Sequence, residues 1–352
     1  MDLFEDLPPP DSKIANEDSS LFGNLPELKA VKRKSESEDE NQPSQKRKLH
    51  GNVKFQLKGF VTERMGERED MQDAHVVLDD FTTEFKDLDI PSDISRLAYY
   101  AIFDGHAGAE AAKFAANNLH KNIVQKFPKG DVVNKDKEIK RCLIDAYRKT
   151  DEEFLQEASK QNPVLKDGST AVSILVINDI LYVANLGDSK ALLCRSSEEG
   201  KHSVLSLTKD HSPTQYEERL RIQKAGGNVR DGRVLGILEV SRSFGDGRFK
   251  GCGVIATPDV LRCSLTEKDK FLLLACDGLW KGFEVDEALK YINNILEKEM
   301  PKVPNATSEE EEETNVFEIA CSRIAGDAIR KGSSDNVTVM LVEIKSKSKE
   351  LI

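Results

Sequence analysis

No apolar run in this sequence approaches the roughly 20 residues that a membrane-spanning helix needs, and its first residues carry acids and prolines where a secretory leader would be apolar. The chain is therefore expected to be soluble and intracellular, with no membrane contact. Positive charge is also in short supply: 51 Lys and Arg against 62 Asp and Glu leave a formal net charge of -11. Binding driven by phosphate neutralisation needs the opposite balance, so nucleic acid is not an expected partner. The six cysteines show no paired knuckle spacing and the six histidines are scattered, which disfavours zinc and predicts reduced, buried thiols. The phosphate-cradling Gly-x-x-x-x-Gly-Lys-Ser/Thr loop is missing, as is a strand followed by Gly-x-Gly-x-x-Gly, so nucleotide transfer has little support. No cysteine starts a Gly- and Arg-containing anion loop of the Cys-x5-Arg kind, so a thiolate nucleophile for phosphoryl chemistry is lacking too.

What remains is ordinary for a protein with a sizeable core: 352 residues, 38% hydrophobic and 32% charged. Length alone allows one to three domains. Residues 1 to about 50 are rich in Pro, Ser, Glu, Asp and Lys and are read as a disordered tail, because they cannot bury enough surface to offset ordering entropy. The tail repeats a small apolar cluster, Leu3-Phe4-Glu5-Asp6-Leu7-Pro8 and Leu21-Phe22-Gly23-Asn24-Leu25-Pro26, which reads either as tandem docking motifs or as residual composition. Lys32-Arg33-Lys34 and Lys46-Arg47-Lys48 flank an acidic spacer and look like a two-part import signal. A nuclear import receptor is the partner they imply, with the protein in nucleus and cytoplasm. Phosphorylation at Ser37, inside the spacer, is expected to weaken import.

From Val53 onward short apolar, Gly-bounded segments predict strands at 55–62, 74–78, 97–103, 170–177, 180–185, 191–194, 271–276 and 337–342. Helical periodicity predicts helices at 108–127, 137–158, 213–225, 285–296 and 316–331. Strands in hairpin-like succession with helices in pairs favour an α+β fold of antiparallel sheets covered by helices. Residues 304–313, with five consecutive Glu, read as an exposed acidic loop.

Two of the apolar runs end alike, in Asp104-Gly105-His106 and Asp277-Gly278. A carboxylate at the end of a buried strand is fixed by the sheet beneath it and makes a poor core residue but a good ligand for a hard cation. Asp73, Asp188 and Asp335 sit in similar punctuated contexts, though each read singly is an ordinary turn Asp. Mg²⁺ and Mn²⁺ prefer carboxylate, carbonyl and water oxygens. Asp73, Asp104, Asp277 and Asp335 supply the carboxylates, and Gly105 lets its carbonyl approach an ion without steric cost. Two such ions about 3.5 to 4 Å apart would bridge and acidify a water for in-line attack on a phosphoryl group. His106 is a candidate proton donor to the leaving group, or a structural His beside a strand end. Arg68 either clamps phosphate oxygens or merely pairs with Glu67, Glu69 or Asp70.

Seven segments taken in order resemble the metal-dependent PP2C (PPM) family of protein serine/threonine phosphatases. They are Arg68–His75, Phe103–Gly108, Asp167–Ala171, Asn185–Lys190, Val240–Asp246, Ala275–Trp280 and Ser334–Thr338, spread over residues 55 to 345. The stretch from His211 to Gly247 and the tail repeat are similar to a branch of that family tied to a kinase of integrin signalling. The resemblance implies a four-layer α/β-β/α sandwich in one domain, residues 51–346, followed by a short tail at 347–352, with phosphoproteins as substrates and a monomeric chain. It implies that Asp104 bridges two Mg²⁺ or Mn²⁺ ions and Gly105 gives its carbonyl to one. Asp277 and Asp335 then bind the other, Asp73 acts directly or through water, Arg68 binds phosphate and His106 donates the proton. Two positions depart from the family pattern. Gln72 stands where many members carry Glu, and Lys281 where many carry an Asp of a third metal site beside Asp188. The expectation is two firmly held ions and a weak or absent third. A pseudophosphatase adaptor for kinases and a small-phosphoester phosphatase are the rival readings.

Overall fold

The computed structural model describes residues 53–85, 90–130, 134–197, 202–299 and 315–347. The tail at 1–50, with its apolar repeat, its two basic clusters and Ser37, the loop 304–313 and residues 348–352 lie outside this set. In chain order the elements are β1 (Phe55–Arg64), β2 (Ala74–Leu78), β3 (Leu97–Phe103), β4 (Gly105–His106), α1 (Glu110–Lys126), α2 (Lys135–Ser159), β5 (Gly168–Ser169) and β6 (Ala171–Ile177). There follow β7 (Ile180–Leu186), β8 (Lys190–Ser196), β9 (His202–Ser206), α3 (Tyr216–Lys224), β10 (Val229–Arg230), β11 (Arg233–Val234), β12 (Phe244–Gly245) and α4 (Gly247–Lys250). The chain then forms β13 (Asp259–Ser264), β14 (Asp269–Ala275), α5 (Asp277–Gly282), α6 (Val285–Glu299), α7 (Val316–Arg330) and β15 (Val337–Ser346).

Two five-stranded antiparallel sheets, β1-β15-β14-β8-β9 and β13-β7-β6-β3-β2, carry the fold. Period-two alternation explains why their strands read as unbroken apolar runs. In β3, Ala98, Tyr100 and Ile102 enter the core between the sheets, alongside Leu272 and Leu274 of β14 and Met340 and Val342 of β15. The alternate residues Leu97, Tyr99, Ala101 and Phe103 face Leu119, Ile123, Leu143 and Tyr147 of α1 and α2. On the outer face of the other sheet Phe271, Leu273 and Leu341 meet Ile292 of α6 and Ile324 of α7. Both faces of both sheets are therefore buried, giving the order helix, sheet, sheet, helix; each fully buried Leu contributes about 1.5–3 kcal/mol.

Between β9 and β13 the chain leaves the sandwich and builds a flap with its own small core of Ile222, Val234, Leu238, Val240, Phe249 and Val254. A buried ion-pair network fastens it. Glu218, 4% exposed, meets Arg242 at 2.6 Å and Arg221 at 2.8 Å, and Arg242 reaches Asp259 of β13 at 2.8 Å. Burial opposes the Glu218 charge, but hydrogen bonds from Arg242, Arg221 and Ser241 outweigh it and bring its pKa down to about 2. A carboxyl depressed from its ordinary value near 4.3 contributes stability present above that value and lost as pH falls toward 2. Glu218→Gln is expected to cost about 2 to 3 kcal/mol in urea unfolding at pH 7, and less at pH 3. An unchanged gap between parent and variant at the two pH values would contradict this assignment.

All six cysteines are free, but Cys252 and Cys263 are only half-buried, so burial of the thiols is less complete than the sequence suggests. The single Cys-x5-Arg spacing, Cys142 to Arg148, falls inside α2 and forms no loop. Among the described residues no helix is long and apolar enough to cross a membrane.

Candidate metal centre and active site

Strand register brings the candidate acids to one end of the sandwich. Antiparallel pairing sets Ala74 at the start of β2 opposite Phe103 at the end of β3, so Asp73 and Asp104 are neighbours. In the facing sheet Ala275 at the end of β14 pairs with Val339 near the start of β15, and Asp277 and Asp335 are neighbours for the same reason. Asp188 lies between β7 and β8, where the chain crosses from one sheet to the other. The two Asp-Gly steps thus terminate corresponding strands of opposed sheets. Their glycines mark close backbone approach: a Cβ at Gly105 would lie 2.1 Å from the Gln72 carbonyl oxygen, and one at Gly278 would lie 1.9 Å from that of Asn336.

Arg68, Asp104, Gly105, His106, Asp188, Asp277, Lys281 and Asp335 all line one cavity of about 270 Å³. Asp73 sits beneath them, 6% exposed, with Oδ2 accepting from the Thr338 hydroxyl at 2.6 Å and Oδ1 lacking any partner. Burial and the neighbouring acids push Asp73 up to about 6, Asp188 up to about 7 and Asp104 well above the carboxylate range. A larger cavity, about 530 Å³, opens beside Phe55, Asp269 and Ser346 at the opposite end of the β1 sheet and gathers none of these acids.

The donor set fits a hard divalent cation. An orphaned buried carboxylate oxygen and several mutually repelling acids are stabilised together by a cation that accepts oxygen ligands. Cys276 comes within 4.8 Å of Asp73 and Asp104, but its thiol accepts from the Thr338 N–H at 3.1 Å and lies near the Asn336 carbonyl at 3.4 Å. Burial beside two acids raises its pKa far above the thiol range, so it stays protonated and the site remains an oxygen site.

The loop carrying Arg68 is fastened to the Asp335 loop by Asn336. Its amide donates to the carbonyls of Met65 at 2.8 Å and Asp70 at 3.1 Å, and its oxygen accepts from Gln72 N–H at 2.8 Å. Arg68 pairs with none of Glu67, Glu69 or Asp70; its Nη2 lies 2.9 Å from Asp335 Oδ1. Lys281 spans Asp277 at 2.6 Å and Asp335 at 2.5 Å rather than turning to Asp188.

A three-stranded ribbon, β12-β5-β4, sets His106 opposite Gly168 and Gly168 opposite Gly245. That register delivers Asp246, 3% exposed, to His106, with Nε2 to Oδ2 at 2.7 Å; the Ser243 hydroxyl donates to the same oxygen at 2.7 Å. Burial disfavours the imidazolium, but the hydrogen bond to Asp246 and the charges of Asp246, Asp188 and Asp167 outweigh it and raise the His106 pKa. The sequence motif contains Asp246 but does not reveal this contact, because the pairing spans 140 residues.

The sequence pattern of the family described as "Protein phosphatase 2C" matches residues 57–337. The chain belongs to that family. As a protein phosphatase 2C it is a metal-dependent protein serine/threonine phosphatase. It is 55% identical to the human "Integrin-linked kinase-associated serine/threonine phosphatase 2C" over 324 residues, 90% of this chain and 81% of that protein. The Bos taurus protein of the same description is 53% identical over 350 residues, 97% of this chain and 93% of that one. Among solved structures, the serine-threonine phosphatase 2C from Toxoplasma gondii superposes with a TM-score of 0.65 at 21% identity, covering 82% of this phosphatase and 95% of that chain. A sex-determining protein of C. elegans gives a TM-score of 0.64 at 23% identity, covering 83% and 66%. These two likenesses concern the shared sandwich fold.

Proposed function

We propose that this phosphatase hydrolyses phosphoserine and phosphothreonine in proteins by direct attack of water, with two Mg²⁺ or Mn²⁺ ions held by its carboxylate cluster. The observation that carries the reading is the convergence of Asp73, Asp104, Asp277 and Asp335 from two opposed sheets on one cleft that also holds Arg68 and His106. Bound ions supply charge neutralisation for the phosphoryl group and lower the pKa of a nearby water. Asp104, Asp73, the Gly105 carbonyl, Asp277 and Asp335 would hold the ions, with Asp104 central among them. Arg68 turns its guanidinium from Asp335 to two phosphate oxygens, a geometry that suits a planar fork. Asp246 fixes the His106 ring and favours its protonated form, so His106 gives a proton to the departing serine or threonine oxygen.

Lys281 contacts Asp277 and Asp335, so an ion held by those two carboxylates would displace its ammonium, and a displaced ammonium kept near Asp277 would disfavour a third ion at Asp188. Integrin-linked kinase, named in the descriptions of the relatives, is the proposed kind of partner, with phosphoproteins as substrates. The basic clusters at 32–34 and 46–48 suggest a nuclear import receptor as a second partner and a distribution between nucleus and cytoplasm.

Phosphate release from phosphothreonine peptides, measured against small phosphoesters with and without Mn²⁺, tests the activity, with Asp277→Asn as control. The reading predicts Mn²⁺-dependent release from the peptides that the variant loses. Peptide binding without release points to the adaptor, and release confined to small esters points to the small-phosphoester enzyme.

A further inference from the structure

Two cations at the mouth of the cavity have no part in the chemistry above. Lys166 and Arg248 both line it, both are exposed, and among the described residues neither has a carboxylate partner. The other cations of the cleft are already paired. Arg233 is held by Glu239, Arg68 by Asp335 and Lys281 by Asp277 and Asp335. The β5 and β12 pairing brings the two chain segments that carry them together: Lys166 precedes Gly168, Arg248 follows Gly245, and those glycines are register partners. Arg248 is also held in place, since its guanidinium lies 4.5 Å from the ring centroid of Phe249, a buried member of the flap core.

An unpaired, oriented guanidinium and an unpaired ammonium lining one cavity make an arrangement for binding an anion. In a chain of net charge -11 it stands against the prevailing sign. The scissile phosphate is served by Arg68 and the carboxylate cluster, so a lone phosphomonoester leaves both outer cations unmatched. We infer, resting on the phosphatase reading, that the preferred substrate is a protein segment with a second anionic group, carboxylate or phosphate, within a few residues of the phosphorylated side chain. Lys166 and Arg248 are the residues that select it.

The test compares three phosphothreonine peptides of one sequence, flanked by Gln, by Glu, or by an added phosphoserine, using the full chain with Mn²⁺. The inference predicts kcat/KM about fivefold higher for the acidic peptides than for the Gln peptide, carried mainly by KM, with the advantage shrinking as salt rises. A preference for Glu as well as phosphoserine assigns the site to negative charge in general; a preference for phosphoserine alone assigns it to phosphate. In Lys166→Gln and Arg248→Gln, singly and together, the ratio between acidic and neutral peptides falls toward one. Both residues are exposed, so loss of folding, checked by circular dichroism, is not expected. Equal turnover of all three peptides by the parent, or an acidic preference that survives the double variant, overturns the inference and leaves the phosphatase reading intact. Absence of release from every peptide would instead remove the phosphatase reading on which it rests.

Discussion

Asp104→Asn is expected to reduce Mn²⁺-dependent phosphopeptide hydrolysis on the order of 10³-fold or more while leaving the metal-free protein as stable as the parent, or more stable. The two effects share one cause. Asp104 ends β3 half-buried among Asp73, Asp277, Asp188 and Asp335, and both burial and those charges disfavour its ionised form. With no cation present a carboxylate there is a liability, and an amide of the same shape relieves it. With cations present the same carboxylate is the proposed common ligand, so its loss is expected to weaken the whole centre. Thermal unfolding in chelator and in Mn²⁺ separates the two states. The parent should gain about 2.7 kcal/mol for each of the two ions at a Mn²⁺ concentration a hundredfold above its dissociation constant, and the variant much less. A variant that is destabilised in chelator, yet keeps both the Mn²⁺ gain and the activity, would place Asp104 in a structural role.

His106→Gln should slow hydrolysis of a phosphoserine peptide by about 10² or more, but that of an activated aryl phosphate far less. The alkoxide of serine is a poor leaving group and needs a proton in the transition state, whereas a nitrophenolate leaves unaided. The split between substrates is the signature. Asp246→Asn should reproduce part of it, because the amide still contacts Nε2 at the observed 2.7 Å but no longer supports the imidazolium charge. Equal losses on both substrates would take His106 out of the proton-donor role.

Much of the sandwich was legible in the sequence because both faces of each sheet are buried, so β3 and β14 stand out as apolar runs with Gly at their ends. The 74–78 and 97–103 segments match β2 and β3 residue for residue. The edge strands β9 and β13 were not legible. Each pairs with one neighbour only and is largely solvent-exposed, so neither shows an apolar run or clean alternation. The 213–225 helix begins only at Tyr216, since Ser212 to Gln215 close a turn first. At the site, the acids could be picked out because each ends or precedes a strand. Their supports could not: Thr338 under Asp73, Asn336 across the Arg68 loop and Asp246 behind His106 all act over 140 residues or more of sequence. Lys281 was recognisable as an unusual residue, but its double contact with Asp277 and Asp335 depends on α5 starting at Asp277.

The central claim is that acids from two opposed sheets form a divalent-cation centre. Mn²⁺ bound per chain, counted by equilibrium dialysis with electron paramagnetic resonance of the free ion, tests it without reference to turnover. The account predicts two Mn²⁺ ions for the parent and loss of binding in Asp104→Asn, with no third ion held by Asp188. No Mn²⁺ binding by the folded parent, or the same binding in Asp104→Asn, would contradict it.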